Sequence, residues 1–112
     1  MILVFAVTDE ARRYINSKGR NIRVYLETIL VCNRSCQSPQ GFRRQPVVQL
    51  GKPHPDEREF YTSTQLDDIT IWYETNGIIP EDPAQPIIIS LKKSLFFSEL
   101  QVQGAKPEVK VV

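Results

Sequence analysis

The sequence predicts an α+β domain that is mainly β, a small barrel-like or sandwich arrangement with one N-terminal helix. Three observations lead there. Apolar residues recur at every second position in several short stretches, the spacing of a half-buried strand. One early stretch alone carries helical spacing between capping residues. Gly, Pro, Asn and Asp then interrupt the chain at short intervals, as turns between closely spaced strands do.

Residues 2–7 are apolar and β-prone and read as a buried strand. Thr8 is placed to cap the helix that follows, because its hydroxyl can accept a free amide of the first turn. Asp9 and Glu10 put negative charge where the helix dipole favours it, and Ala11, Tyr14 and Ile15 form one apolar stripe. Gly19 suits the left-handed position that ends a helix. From Ile22 the period becomes two. Ile22, Val24, Leu26, Thr28 and Leu30 share one face, and Arg23, Tyr25 and Glu27 the other.

The stretch "VCNRSCQSPQGFRR" reads as a loop, and strand is expected again over 46–50. "GKPHPDERE" reads as a solvated connection, followed by a strand from Phe60 and a turn at Asp67-Asp68. Residues 69–74 alternate again. Three prolines in "TNGIIPEDPAQP" are expected to break regular structure, and Asn76-Gly77 to make a tight turn. Strands follow over 87–91 and around Leu100 and Val102, ending at Gly104. Phe96 and Phe97 would face opposite ways on a strand, one towards the core and one towards a partner or second copy. The chain of 112 residues has the size of one domain, 1–112, with a tail over 105–112 that is either loose or an edge strand.

Composition narrows the function. A formal net charge of +1 provides no global field for nucleic acid or membrane, and neither is expected as a partner. The opening "MILVFAV" lacks a basic region before it and a cleavage site after it, so the expected location is the cytoplasm. No Gly-x-Ser-x-Gly, phosphate loop or His-Glu-x-x-His occurs, and no catalytic residue is assigned. A non-enzymatic protein is expected. Tyr25, Trp72 and Tyr73 are read as core and cross-strand residues rather than a base-stacking platform, because the charge around them is balanced.

The order of "VTDEARRYINSKG", with Thr8 and Ala11 in a T-x-x-A helix, and "NIRVYLETILVC" resembles the opening of HesB-like proteins, the A-type iron–sulfur carriers. "VVQLGKP" and "IIISLKKSLFFSELQVQG" resemble one branch of that family, the HesB-related proteins with a Cys-Cys or Cys-selenocysteine motif. The resemblance covers most of the chain apart from "TNGIIPEDPAQP" and implies a HesB-like domain. Cys32 falls where the family's first cysteine stands. The chain departs from the pattern in having no cysteine after Cys36, and Cys32 and Cys36 are not adjacent.

Those two thiols carry the candidate chemistry. Soft, anionic thiolate suits an iron–sulfur cluster, iron or another soft metal, and a homodimer would double two ligands to the usual four. Arg34, Arg43 and Arg44 stand nearby in sequence as possible supporting charges. In the same frame the thiols would carry sulfur to a protein partner of iron–sulfur or sulfur metabolism. Three further readings stay open: a degenerate HesB-like module that binds protein without metal, a thiol–disulfide pair, and a small buried Cys32 beside a loop Cys36. His54, with Asp56 or Glu57, is weighed as an extra zinc ligand against an exposed loop histidine.

Overall fold

The computed structural model describes residues 3–32 and 39–108, apart from the side chains of 29–32 and 39–43. The expectations placed on Ile2, Arg34, Cys36 and the 109–112 tail lie outside the described residues. The elements run β1 (Phe5–Val7), α1 (Asp9–Asn16), β2 (Asn21–Cys32), β3 (Pro39–Leu50), a 3₁₀ turn (Pro55–Phe60), β4 (Tyr61–Leu66), β5 (Ile69–Glu74), β6 (Ile78–Pro80), β7 (Ile87–Lys93), β8 (Ser98–Gln103) and β9 (Ala105–Pro107). The fold is mainly β with one short helix, as the alternation predicts.

Local chemistry explains the helix. Thr8 is extended, and its Oγ1 accepts the Ala11 N–H at 3.4 Å while its carbonyl accepts Arg12 N–H at 2.8 Å. Such a cap stabilises a helix by about 1 kcal/mol. Ala11 and Ile15 are fully buried and Tyr14 packs beside them. The helix closes at Asn16, with Ser17 as its cap, so Gly19 lies just beyond it. Gly19 and Arg20 both take positive φ, and the Lys18 and Arg20 amides return to the Ile15 carbonyl. That turn delivers the chain into β2.

The strands form three sheets. One has the order β3-β2-β5-β4, a second β1-β7-β8, and β6 pairs with β9. In the first, β2 lies antiparallel to β3 and parallel to β5. Ile22, Val24 and Leu26 meet Ile69, Ile71 and Tyr73 of β5 and Ile87 and Ile89 of β7 in one hydrophobic cluster. The Phe5 and Tyr73 rings pack there at 5.4 Å. Burying each such side chain contributes about 1.5–3 kcal/mol.

Three expectations need correcting, and two others are refined. β3 starts at Pro39, not Pro46, because a long pairing with β2 sets its length and needs no apolar composition. The solvated connection is exposed as expected, and it contains the 3₁₀ turn. The proline-rich segment is not wholly irregular: Ile78 is buried and Pro80 pairs with Ala105, with prolines tolerated on a short edge ladder. Of the two alternatives for the tail, Ala105–Pro107 takes the strand. Phe96 and Phe97 are both exposed, because the chain turns there instead of continuing as a strand.

The described strands do not close into a barrel. β3 and β8 are both edge strands, and they border an open groove of about 750 Å³ lined by residues 45–50, 98–103 and Tyr14.

Gly77 has φ +104°, and a Cβ there would lie 3.1 Å from Leu26 Cδ1. Gly19 has φ +99° with open space around it. Gly77→Ala should cost about 1–3 kcal/mol in denaturant unfolding, and more than Gly19→Ala, which carries the backbone strain alone. Equal losses would remove the Leu26 contact from the account.

Candidate functional site

The site begins with a mismatch of strand lengths. β5 pairs with β2 only from Asn21↔Thr70 to Val24↔Tyr73, whereas β2 continues to Cys32. At the point where β5 ends, Glu74 Oε1 accepts the Leu26 N–H at 3.0 Å. A carboxylate thus takes over the ladder position that a further β5 residue would fill. From there on, β3 is the paired neighbour of β2, and the two continue as a ribbon.

Pairing in that ribbon runs from Ile22↔Leu50 to Val31↔Gly41, then shifts so that Cys32 opposes Pro39. Cys32 is therefore the last residue of β2, at the far end of the ribbon from the core. The pairing also sets Cys32 beside Pro39, the two residues that flank 33–38, and 33–38 includes Cys36 in the sequence. Arg43 pairs with Ile29 and Arg44 with Thr28. The Arg44 guanidinium approaches Glu74 Oε2 at 4.0 Å, so it is drawn towards the root of the ribbon. Arg44 lies five residues from Pro39, roughly 17 Å along an extended strand. Arg34 and Cys36 lie outside the described residues.

His54 cannot join the thiols. It follows β3 at the opposite end from Cys32, roughly 35 Å away by strand rise. Its ring is 68% exposed, and Nδ1 accepts the Asp56 N–H at 3.4 Å, capping the 3₁₀ turn. Among the described residues, no three or more His, Cys, Asp or Glu side chains gather in a metal-holding group. Cys32 and Cys36 are the chain's two cysteines.

The other residues singled out in the sequence have local partners. Arg23 lies over the Tyr25 ring at 5.6 Å, and Arg58 over Trp72 at 5.7 Å. Trp72 Nε1 donates to Asn21 Oδ1 at 3.2 Å, and Tyr73 is buried. Asp67 takes φ 56° in the β4–β5 turn and pairs with Arg12 at 2.9 Å. Sequence reasoning missed Glu74, although a glutamate on the last position of an alternating strand was visible as a polar terminator.

Residues 3–105 match the family described as CC/Se motif containing, and the chain belongs to it. No curated protein and no solved structure matches the chain.

Tyr61 faces this terminus. Burial raises its phenol above the usual 10.0, and the nearby Glu74 carboxylate adds to the rise, with smaller effects from Glu57 and Tyr25 opposing that of Arg23. The unfolded phenol then ionises first, so stability is intact below pH about 10 and falls as pH rises through the folded value. Phenolate absorbance should show a component that titrates late. Tyr61→Phe should delete that component and Glu74→Gln should move it down; an unchanged late component in both would reject the assignment.

Proposed function

We propose that this CC/Se motif containing protein is a small non-enzymatic carrier of iron–sulfur or sulfur metabolism, acting through Cys32 and Cys36. The observation that carries the reading is the position of Cys32. It ends a strand that has outrun its parallel neighbour, on a ribbon whose root is fixed in the core. A cysteine at the end of such a ribbon would meet a guest or a partner away from the core. The resemblance of the β2 segment to HesB-like A-type carriers points the same way, while the β7–β8 segment resembles the HesB-related branch with a Cys-Cys or Cys-selenocysteine motif.

Two thiolates per chain do not fill a cluster or tetrahedral site, which takes four. In this reading two copies bring their ribbons together, and Cys32 and Cys36 of both chains complete the set. Bound there, an iron–sulfur cluster or iron would supply the cargo or redox centre, while the chain's part is to present the sulfurs and define access to them. Arg34 and Arg43 belong to the same stretch and would offset negative charge; Arg44 contributes less, because Glu74 draws it away. The same two thiols suit sulfur transfer to a protein partner.

A second reading rests on the missing adjacent thiol pair. Without it, the domain would be a degenerate member that binds protein through its fold and needs no metal.

Anaerobic reconstitution with iron and sulfide should give a protein with visible sulfur-to-iron absorbance that elutes as a dimer. Cys32→Ser and Cys36→Ser should each abolish most iron uptake. A Cys32→Ser protein with wild-type iron content would overturn the carrier reading and leave the binding module.

A further inference from the structure

We propose that the β7–β8 hairpin tip docks the protein reversibly on an anionic lipid bilayer by inserting Leu95, Phe96 and Phe97 among the headgroups. Leu95 and Phe96 are 89% exposed and Phe97 65%, a contiguous apolar run at the end of a hairpin. Val4, Phe60 and Ile88, by contrast, do not adjoin one another in the chain and are less exposed than Leu95 and Phe96.

The turn is held, not slack. Ser94 donates its N–H to the Phe97 carbonyl at 2.8 Å and its hydroxyl to the same oxygen at 3.0 Å. The Phe97 N–H donates to Ser94 Oγ at 3.3 Å. These bonds close a tight loop and fix Leu95 and Phe96 at its apex. A rigid apex loses little freedom when it enters another phase.

Size and charge favour a bilayer as the occupant. A stable protein interface buries about 800 Å² on each partner, spread over some 20–30 residues. Three side chains on a two-residue apex fall well short of that, whereas a bilayer needs only depth. Phenylalanine and leucine are the residues that interfacial segments bury in the headgroup and acyl boundary. Lys92 and Lys93 directly precede the tip, and Arg13 lines the small cleft beside Lys93 and Ser98. Glu99 opposes Lys92, and Glu10 shares that cleft, so the local surplus is one positive charge. Such a surplus steers the tip to anionic headgroups and leaves the binding weak and salt-sensitive. This is docking and not spanning: among the described residues, no helix is long and apolar enough to cross a membrane.

The test uses the whole protein sedimented with vesicles of phosphatidylcholine and phosphatidylserine at roughly 3:1, the anionic lipid supplying the surface potential. The wild type should co-sediment several-fold more than with phosphatidylcholine alone, and salt should release it. Phe96→Ser and Phe97→Ser, on exposed positions, should fold normally and lose most of the binding; Lys92→Gln with Lys93→Gln should lose its lipid selectivity. Cys32→Ser should bind as the wild type does, which separates this result from the carrier reading. Absence of co-sedimentation, or co-sedimentation unchanged in Phe96→Ser, would overturn the proposal. So would a solution dimer that Phe96→Ser converts to monomer, which would assign the tip to a second copy.

Discussion

One hydrogen bond marks the boundary on which the molecule is organised: the Leu26 amide to the Glu74 carboxylate. On one side of it, β2 is a central strand with neighbours on both edges and its Ile22 and Val24 side chains fully buried. On the other side it is half of a two-stranded ribbon. A buried strand cannot simply lose a neighbour, because its amide would be left without a partner, at a cost of about 1–3 kcal/mol. Glu74 offsets that loss where β5 stops, and the chain beyond is free to leave the core. Gly77 lies directly beneath, its missing side chain leaving room for Leu26.

The remaining architecture supports that root. Helix α1 seals the core with Ala11 and Ile15, and the second sheet closes it with Ile87 and Ile89. Tethering β6 to β9 brings the C-terminal strands back beside the end of β5, through Ile78↔Pro107 and the bond from Glu108 N–H to the Gly77 carbonyl. The parallel pairing of β2 with β5 and of β1 with β7 gives each of the two larger sheets one long-range junction, so neither of those two is a simple meander. In the proposed function this scaffold holds the base of the thiol ribbon still.

What the sequence showed depended on whether the signal was local. Thr8, Asp9, Glu10, Ala11 and Ile15 lie within two turns of one another, so the helix was legible. Alternation from Ile22 and from Ile69 was equally plain, since one buried face dictates it. β3 was only half legible. Its first seven residues, "PQGFRRQ", have a loop's composition and are strand because β2 lies alongside them, a fact that no local window contains. β6 was hidden by prolines that an edge ladder tolerates, and the exposure of both Phe96 and Phe97 was hidden because neighbours on a strand would have placed one of them in the core. For the candidate site, residue types were legible and distances were not. Cys32 at the end of a strand was legible; the separation of His54 from it, and the diversion of Arg44 towards Glu74, depended on the length of β3 and on where β5 stops.

The account stands on the two thiols sharing one end of the ribbon, since every proposed activity at Cys32 needs Cys36 within reach. Bimane cross-linking measures this directly, because dibromobimane becomes fluorescent only when both of its arms have alkylated thiols a few ångströms apart. The reduced protein should give a fluorescent, internally bridged monomer, and either Cys→Ser variant should give a dark single adduct. Dark adducts on both cysteines of the wild-type protein, with no bridged monomer, would contradict it.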